Sequence, residues 1–229
     1  MTVSFPLVDD PSTSLLALTT TPYTLTSNLA LCVNANFTYV KIHDFERGQN
    51  FIMLEKLLGT VYKEYAGGKK PDPKKEPKFK KVGSFQGKDM VGWRYIPMFD
   101  YFTEQVSCPF FVVEQADIQY EDRAFRVLSD DYVSEEAGTG IVHQAPAWGE
   151  DDNRVCLAHE IITKDEIPPC PIDEAGRFTA EVPEYQGINV KEADSQIIRD
   201  LQKKGRLIVK GDITHSYPFC WRSVKLYLL

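Results

Sequence analysis

The sequence predicts an α+β fold, predominantly β, in which many short strands form a barrel or a sandwich of mixed pairing with a few helices outside. Three observations predict it. Short apolar, β-branched and aromatic runs recur between Gly, Pro, Asn and Asp punctuation. Only a few stretches carry the three- and four-residue apolar spacing of a helix face. No internal repeat is present, nor the regular strand–helix alternation that builds a doubly wound parallel sheet.

In chain order, Leu15–Thr20, Leu29–Asn34 and Phe37–Ile42 read as strands, with Asn34-Ala35-Asn36 as a hairpin connection between the last two. From Phe51 the apolar positions Phe51, Leu54, Leu57, Leu58, Val61 and Tyr62 mark one face of a helix, which Gly59 would end or interrupt. Residues 67–81, GGKKPDPKKEPKFKK, hold seven lysines, three prolines and two acids, so they read as an exposed loop or a phosphate-contacting patch. Phe110–Glu114, Phe125–Leu128 and Thr139–His143 are further strands. Glu150, Asp151 and Asp152 precede Val155, Ala158, His159 and Ile162, a helix with carboxylates at the end where its dipole favours them. After a proline-rich irregular stretch over 163–188, Asn189 caps the clearest helix, with Val190, Ala193, Ile197 and Leu201 on one face and Gly205 as its stop. Leu207–Val209 is a late strand.

The 229 residues are 43% hydrophobic and 26% charged, enough to bury a substantial core. The longest uninterrupted apolar run, Leu29–Val33, is far short of the ~20 residues a membrane span needs, and MTVSFPLVDD is not a secretory signal. A soluble, cytoplasmic protein without a membrane partner is expected. Lys and Arg total 26 against 33 Asp and Glu, a net charge of −7, so nucleic-acid contact must be local rather than a coating. The five cysteines, Cys32, Cys108, Cys156, Cys170 and Cys220, form no C-x-x-C pair and read as reduced packing residues.

Three constellations can carry chemistry. Thr19-Thr20-Thr21-Pro22-Tyr23-Thr24-Leu25-Thr26-Ser27-Asn28 is either a polar strand end bonded to its own backbone or a cluster of hydroxyls able to bind a polar substrate or a water. Gly138-Thr-Gly-Ile-Val-His143-Gln-Ala-Pro-Ala-Trp148-Gly-Glu-Asp-Asp152 puts an imidazole at a strand end and carboxylates at the following helix start, at the mouth of one cleft. His143, Asp151 or Asp152, and His159 could be tried as a metal set, and Cys156 stands at C-x-x-H spacing from His159, but on a helix with no second pair. The elbow G-x-S-x-G, the phosphate loop G-x-x-x-x-G-K-[ST] and the fingerprint G-x-G-x-x-G are all absent.

The stretches TTTPYTLTSN, GTGIVHQAPAWGEDDNRV and HSYPFCWRS, in that order, resemble the editing (CP1) domain inserted into the catalytic domain of isoleucyl-tRNA synthetase. Weaker matches at GKDMVGWRYIPMFDYF, PIDEAGRF and NVKEADSQIIRDLQKKG extend the resemblance over nearly the whole chain. The valyl and leucyl relatives look like T-T-R-P-[ED]-T in the first motif and lack the histidine of the second, whereas here Pro22 follows Thr21 directly and His143 is present. The lysine loop and the SNLALCVN continuation resemble the eukaryotic cytosolic type. Tyr23 stands where the family usually has tryptophan and Thr26 where it has proline, and the final VKLYLL departs from the family's continuation.

This resemblance implies one editing domain over 1–223, a closed barrel-like core and a divergent or added tail at 224–229. It implies hydrolysis of valine mischarged onto isoleucine tRNA, with valyl-adenylate as a possible second substrate. The H-x-G-H and K-M-S-K-S signatures are missing, so aminoacylation is not expected; ATP and Mg would serve the absent synthetic domain, and no cofactor or metal is expected here. The implied partners are the 3′-terminal aminoacyl-adenosine of mischarged tRNA and the rest of the synthetase chain. Asp152 is assigned to the substrate's α-ammonium group. Thr20 and Thr21, with Asp152, are the catalytic set; Thr19, Thr24, Asn28 and His143 line the substrate. His143 is either a wall that excludes the extra methylene of isoleucine or a general base. Trp148 is a packing residue or a platform for the terminal adenine. A metal-dependent hydrolase and a non-catalytic tRNA- or protein-interaction module remain the alternatives.

Overall fold

The computed structural model describes residues 1–68, 76–103 and 120–211, and the short strands 219–220 and 225–226. Two mixed sheets share one core. The strands are β1 (Thr2–Pro6), β2 (Thr13–Leu18), β3 (Ala30–Val33), β4 (Thr38–Asp44), β5 (Gln49–Leu54), β6 (Phe79–Gln86), β7 (Arg126–Ser129), β8 (Val142–Gln144) and β9 (Leu207–Val209), with β10 (Phe219–Cys220) and β11 (Lys225–Leu226) forming a separate pair. The helices are α1 (Leu58–Val61), α2 (Gly87–Met90), α3 (Tyr120–Arg123), α4 (Glu150–Ala158) and α5 (Val190–Lys203). The larger sheet runs β6-β4-β5-β2-β1-β9 and the smaller β7-β3-β8; only β2–β5 and β3–β7 are parallel. The ladders among the described residues do not by themselves close either sheet into a ring.

Strands β1, β2 and β5 of the larger sheet are buried on both faces, which explains one misreading of the sequence. Along β5, Ile52 and Leu54 enter the main core, while Phe51 and Met53 enter a second cluster with Val40, Ile42, Leu58 and Tyr62. A strand apolar on both faces reads as a continuous run. Phe51–Leu54 is therefore strand, and only the 3-10 turn Glu55–Leu57 and α1 continue the expected helix.

Two other expectations are corrected. Asn34–Asn36 is not a hairpin turn: β3 pairs with β7 and β8, β4 with β5 and β6, so the turn passes from one sheet to the other. Residues 79–81 of the lysine-rich segment are the start of β6 and not loop, because Phe79 packs against Tyr62 and Tyr65. Residues 69–75, Phe110–Glu114 and most of HSYPFCWRS and the 224–229 tail lie outside the described residues.

Strand β1 and the short helices α2 and α3 were not expected, whereas several other elements follow the sequence. The expected strand at 125–128 is β7, and Thr139–His143 contracts to Val142–Gln144. Asn189 caps α5 by accepting from the Lys191 N–H at 3.1 Å, and Gly205 leaves the helix at φ 68°. Gly140, at φ 73°, lies so close to β5 that a Cβ would stand 2.4 Å from Leu54 Cβ. That approach lets the loop before β8 bond onto the end of β5 through Leu54 N–H to Thr139 O at 2.8 Å.

Candidate active site

The threonine run folds as a strand end followed by a 3-10 helix, Pro22–Ser27, whose side chains are all buried. Pro22 occupies the first turn, where its missing N–H costs nothing. Thr19 is buried and its Oγ1 accepts from the Thr21 N–H at 3.1 Å. Thr24 Oγ1 donates to Thr21 O at 2.9 Å and lies 3.2 Å from Thr21 Oγ1. Thr20 is exposed, and its hydroxyl makes no hydrogen bond among the described residues.

Strand β8 brings His143 to this turn. Paired opposite Leu31 of β3, His143 is 8% exposed and its Nε2 lies 3.2 Å from Thr24 Oγ1. With the Thr24 proton committed to Thr21 O, the imidazole donates through Nε2. Nδ1 is then a bare, buried acceptor with no partner among the described residues. Burial without a neighbouring anion pushes the imidazole down to about 4, so the ring is neutral at pH 7.

Two residues further on, the Ala145 N–H donates to Asp152 Oδ2 at 2.9 Å, folding the first turn of α4 back against the end of β8. Asp152 Oδ1 accepts nothing among the described residues. Burial pushes the Asp152 carboxyl up to about 6; the Ala145 N–H opposes the shift and Asp151 adds to it. Gly149 makes room for this carboxylate, since a Cβ there would stand 3.0 Å from Asp152 Cγ. Asn153 donates to Pro146 O at 3.0 Å and anchors the same loop.

The expected residues therefore divide into three groups. Thr19, Thr21, Thr24 and His143 form one hydrogen-bonded chain, Asp152 bonds the Ala145 N–H just after β8, and Thr20 is exposed. Asn28 faces the scaffold: its amide donates to Ala30 O at 2.9 Å and its Oδ1 accepts from Tyr95 Oη at 2.7 Å. Trp148 donates to Ser27 Oγ at 2.8 Å and meets the Tyr23 ring edge-on, which is a packing arrangement.

The trial metal set is dispersed. His159 Nε2 bonds Ser129 O at 3.0 Å, and Asp151 pairs with Arg154. Among the described residues no group of three or more His, Cys, Asp or Glu side chains is placed to hold a metal ion.

The threonines and His143 form one hydrogen-bonded cluster, and the chain that builds it has known relatives. The cytoplasmic isoleucine–tRNA ligase of Saccharomyces cerevisiae is 48% identical over 223 residues, covering 97% of this chain and 19% of that protein. The mouse cytoplasmic enzyme is 48% identical over 221 residues, covering 96% and 16%, and that of Bdellovibrio bacteriovorus 41% over 224 residues, covering 97% and 18%. By sequence, the chain is homologous to one segment of isoleucyl-tRNA synthetases.

That segment spans less than a fifth of the length of these relatives. No family model matches the chain. Among solved structures it resembles GlLeuRS-CP1, at TM-score 0.58 and 14% identity over 93% of this chain and 99% of that one. It also resembles the editing domain of Plasmodium knowlesi cytosolic leucyl-tRNA synthetase, at TM-score 0.55 and 13% identity over 90% and 93%. The chain thus has the expected fold, α+β and mainly β.

Sequence reasoning missed two parts of the candidate site. The Ala145 N–H that orients Asp152 is main chain and leaves no mark in the sequence. Asp194 of α5, which accepts from the Tyr23 N–H at 3.2 Å, did leave one. It lies four residues after Val190 and three before Ile197, a carboxylate set in the apolar face of the helix.

Proposed function

We propose that this chain is a proofreading domain that hydrolyses the ester of valine mischarged onto isoleucine tRNA, with valyl-adenylate as a second substrate. The observation that carries this reading is Asp152: a half-buried carboxylate whose one oxygen is held by the Ala145 N–H and whose other accepts nothing among the described residues, with Ala145 two residues after the His143 that meets Thr24. A carboxylate so placed suits a buried α-ammonium group, to which it gives a charge-assisted hydrogen bond. One methylene separates the two amino acids, and the established discrimination for this enzyme class, about 150-fold, is too small without a second, hydrolytic site.

The ester is already activated, so positioning and charge stabilisation suffice. Water adds to the ester carbonyl carbon and the carbonyl electron pair moves onto oxygen. Collapse of that oxyanion breaks the bond to the ribose oxygen, which leaves with a proton as free tRNA beside valine. Asp152 fixes the substrate by its ammonium group. Thr20 and Thr21 supply hydroxyls to the oxyanion, the ribose or the attacking water. Thr24 holds His143, which bounds the side-chain space.

In this reading no metal or cofactor takes part, and ATP and Mg belong to the synthetic part of the enzyme. The partners are the terminal aminoacyl-adenosine of the tRNA and the remainder of the synthetase chain, and the setting is the cytoplasm without membrane contact. Two features support that setting: cytoplasmic enzymes are among the relatives, and no helix among the described residues is long and apolar enough to cross a membrane.

The test is a deacylation assay with valyl- and isoleucyl-tRNA, with and without chelator. Loss of valine, sparing of isoleucine and indifference to chelator are expected. Chelator-sensitive hydrolysis restored by zinc would replace the proposal with a metallohydrolase. Binding without cleavage would make the chain an interaction module.

A further inference from the structure

The 3-10 helix that carries Thr21 and Thr24 has an unusual end. Its N-cap residue, Thr21, makes no side-chain capping bond. Pro22 has no N–H, and the Thr24 N–H is taken by Thr21 O at 3.1 Å. The Tyr23 N–H therefore looks outside that first turn for its acceptor. Asp194 Oδ1, from a helix distant in sequence, takes it at 3.2 Å.

Asp194 is half-buried on the face of α5 that carries Val190 and Ile197. The Lys191 ammonium lies 4.7 Å from the centroid of the Tyr23 ring, and the opposite end of the 3-10 helix is held by Trp148 on Ser27. Tyr23 is thus gripped by α5 through both its main chain and its ring. A turn of six residues has little rigidity of its own, so the angle at which it offers its hydroxyls depends on what holds its ends.

We propose that Asp194 is a positioning residue: by capping the Tyr23 N–H from α5 it fixes the turn that holds Thr21 and Thr24 against His143. This deepens the proposed hydrolytic function and rests on it for its kinetic consequence. Asp194 touches no reacting atom. Its role needs an acceptor at Oδ1 and does not need a charge, which separates it from Asp152.

Two variants and two readouts decide the matter. Asp194→Ala removes the acceptor, whereas Asp194→Asn keeps an oxygen in the same place. Amide exchange of Tyr23, followed by NMR, reads the cap directly and is independent of any activity. Valyl-tRNA deacylation, resolved into kcat and KM, reads its consequence. In Asp194→Ala, Tyr23 exchange accelerates while the α5 amides stay protected. Its kcat drops by about ten- to a hundred-fold, the scale of a small misplacement of catalytic groups, with KM changed far less. Asp194→Asn restores both to near the parent values.

Unchanged Tyr23 exchange in Asp194→Ala overturns the cap. Faster exchange with unchanged kcat overturns the positioning role. An Asp194→Asn variant as impaired as Asp194→Ala assigns the effect to charge and also overturns it. If Asp194→Ala does not fold, Asp194→Glu, whose longer chain displaces the acceptor, takes its place with the same expectations. A parent chain with no deacylase activity would remove the proposed function while leaving the exchange measurement intact.

Discussion

Replacing Asp152 by asparagine and following deacylation from about pH 5 to about pH 8 isolates the charge on which the proposed substrate capture depends. Burial lifts this carboxyl from 3.8 to about 6, so it is about nine-tenths ionised at pH 7 and about one-tenth at pH 5. If only the carboxylate holds the α-ammonium group, kcat/KM falls about tenfold per pH unit below pH ~6. His143, pushed down to about 4, stays neutral throughout and adds no limb there. Asp194 is also lifted to about 6 by burial, so the scan is run in the Asp194→Asn background, which keeps its acceptor. Bound substrate places a cation beside Asp152 and favours its ionised form. The limb in kcat, which reports the complex, should therefore lie at lower pH than the limb in kcat/KM. Asp152→Asn keeps an oxygen for the Ala145 N–H but loses the charge-assisted bond, worth about 1.5–3 kcal/mol, or one to two decades in rate. Its profile should be flat across the same range. A limb near pH 6 that survives in Asp152→Asn, or a rate within about twofold of the parent, would refute the assignment.

Two further outcomes follow from the same packing. Because the folded state raises the Asp152 pKa, it binds more protons than the unfolded chain between pH 3.8 and about 6, and stability from this group falls as pH rises through that window. Asp152→Asn should therefore be more stable than the parent at pH 7, by about 1–3 kcal/mol in urea unfolding, with the advantage vanishing near pH 4. Gly149→Ala meets no backbone strain at φ −132°, but its Cβ would press on the Asp152 carboxylate at 3.0–3.3 Å. Deacylation should drop about tenfold with the melting temperature nearly unchanged, and an unaltered rate would show that the carboxylate has room to give.

What the sequence disclosed was what local physics decides. The helix α5 was legible because its cap, apolar face and glycine stop are all within one stretch, and β7 and β9 because each is a bounded apolar run. The strand β5 was not, because burial on both faces erases the alternation that marks a strand. The turn at Asn34–Asn36 has hairpin chemistry, yet β3 finds its partners near residues 126–129 and 142–144, a choice made by long-range register. The site divides in the same way. The carboxylates in the first turn of α4 and the histidine before them stood out as a motif. The Thr24–His143 contact joins residues 119 apart and only the fold could supply it. Asp194 was legible in principle, as a charge on an apolar helix face, but its partner is a main-chain N–H.

The burial of His143 bears on which of its two roles is realised. A general base works best when its conjugate acid has a pKa near the operating pH, since both protonation state and driving force then favour transfer. An imidazole pushed to about 4 is deprotonated at pH 7 but weakly basic, and its Nε2 is already engaged with Thr24. Its volume is what burial preserves: a neutral ring, fixed by one hydrogen bond, is a firm wall at modest cost in solvation. His143→Ala should then enlarge the side-chain space and let isoleucyl-tRNA be hydrolysed, because a larger side chain is rejected by contact whereas a smaller one is never excluded by it. Valyl-tRNA should still be cleared, within about tenfold of the parent rate, since steric room is not lost. If the substitution instead lowers valine clearance by about two to four decades without admitting isoleucine, the imidazole is the base and the wall must be sought elsewhere.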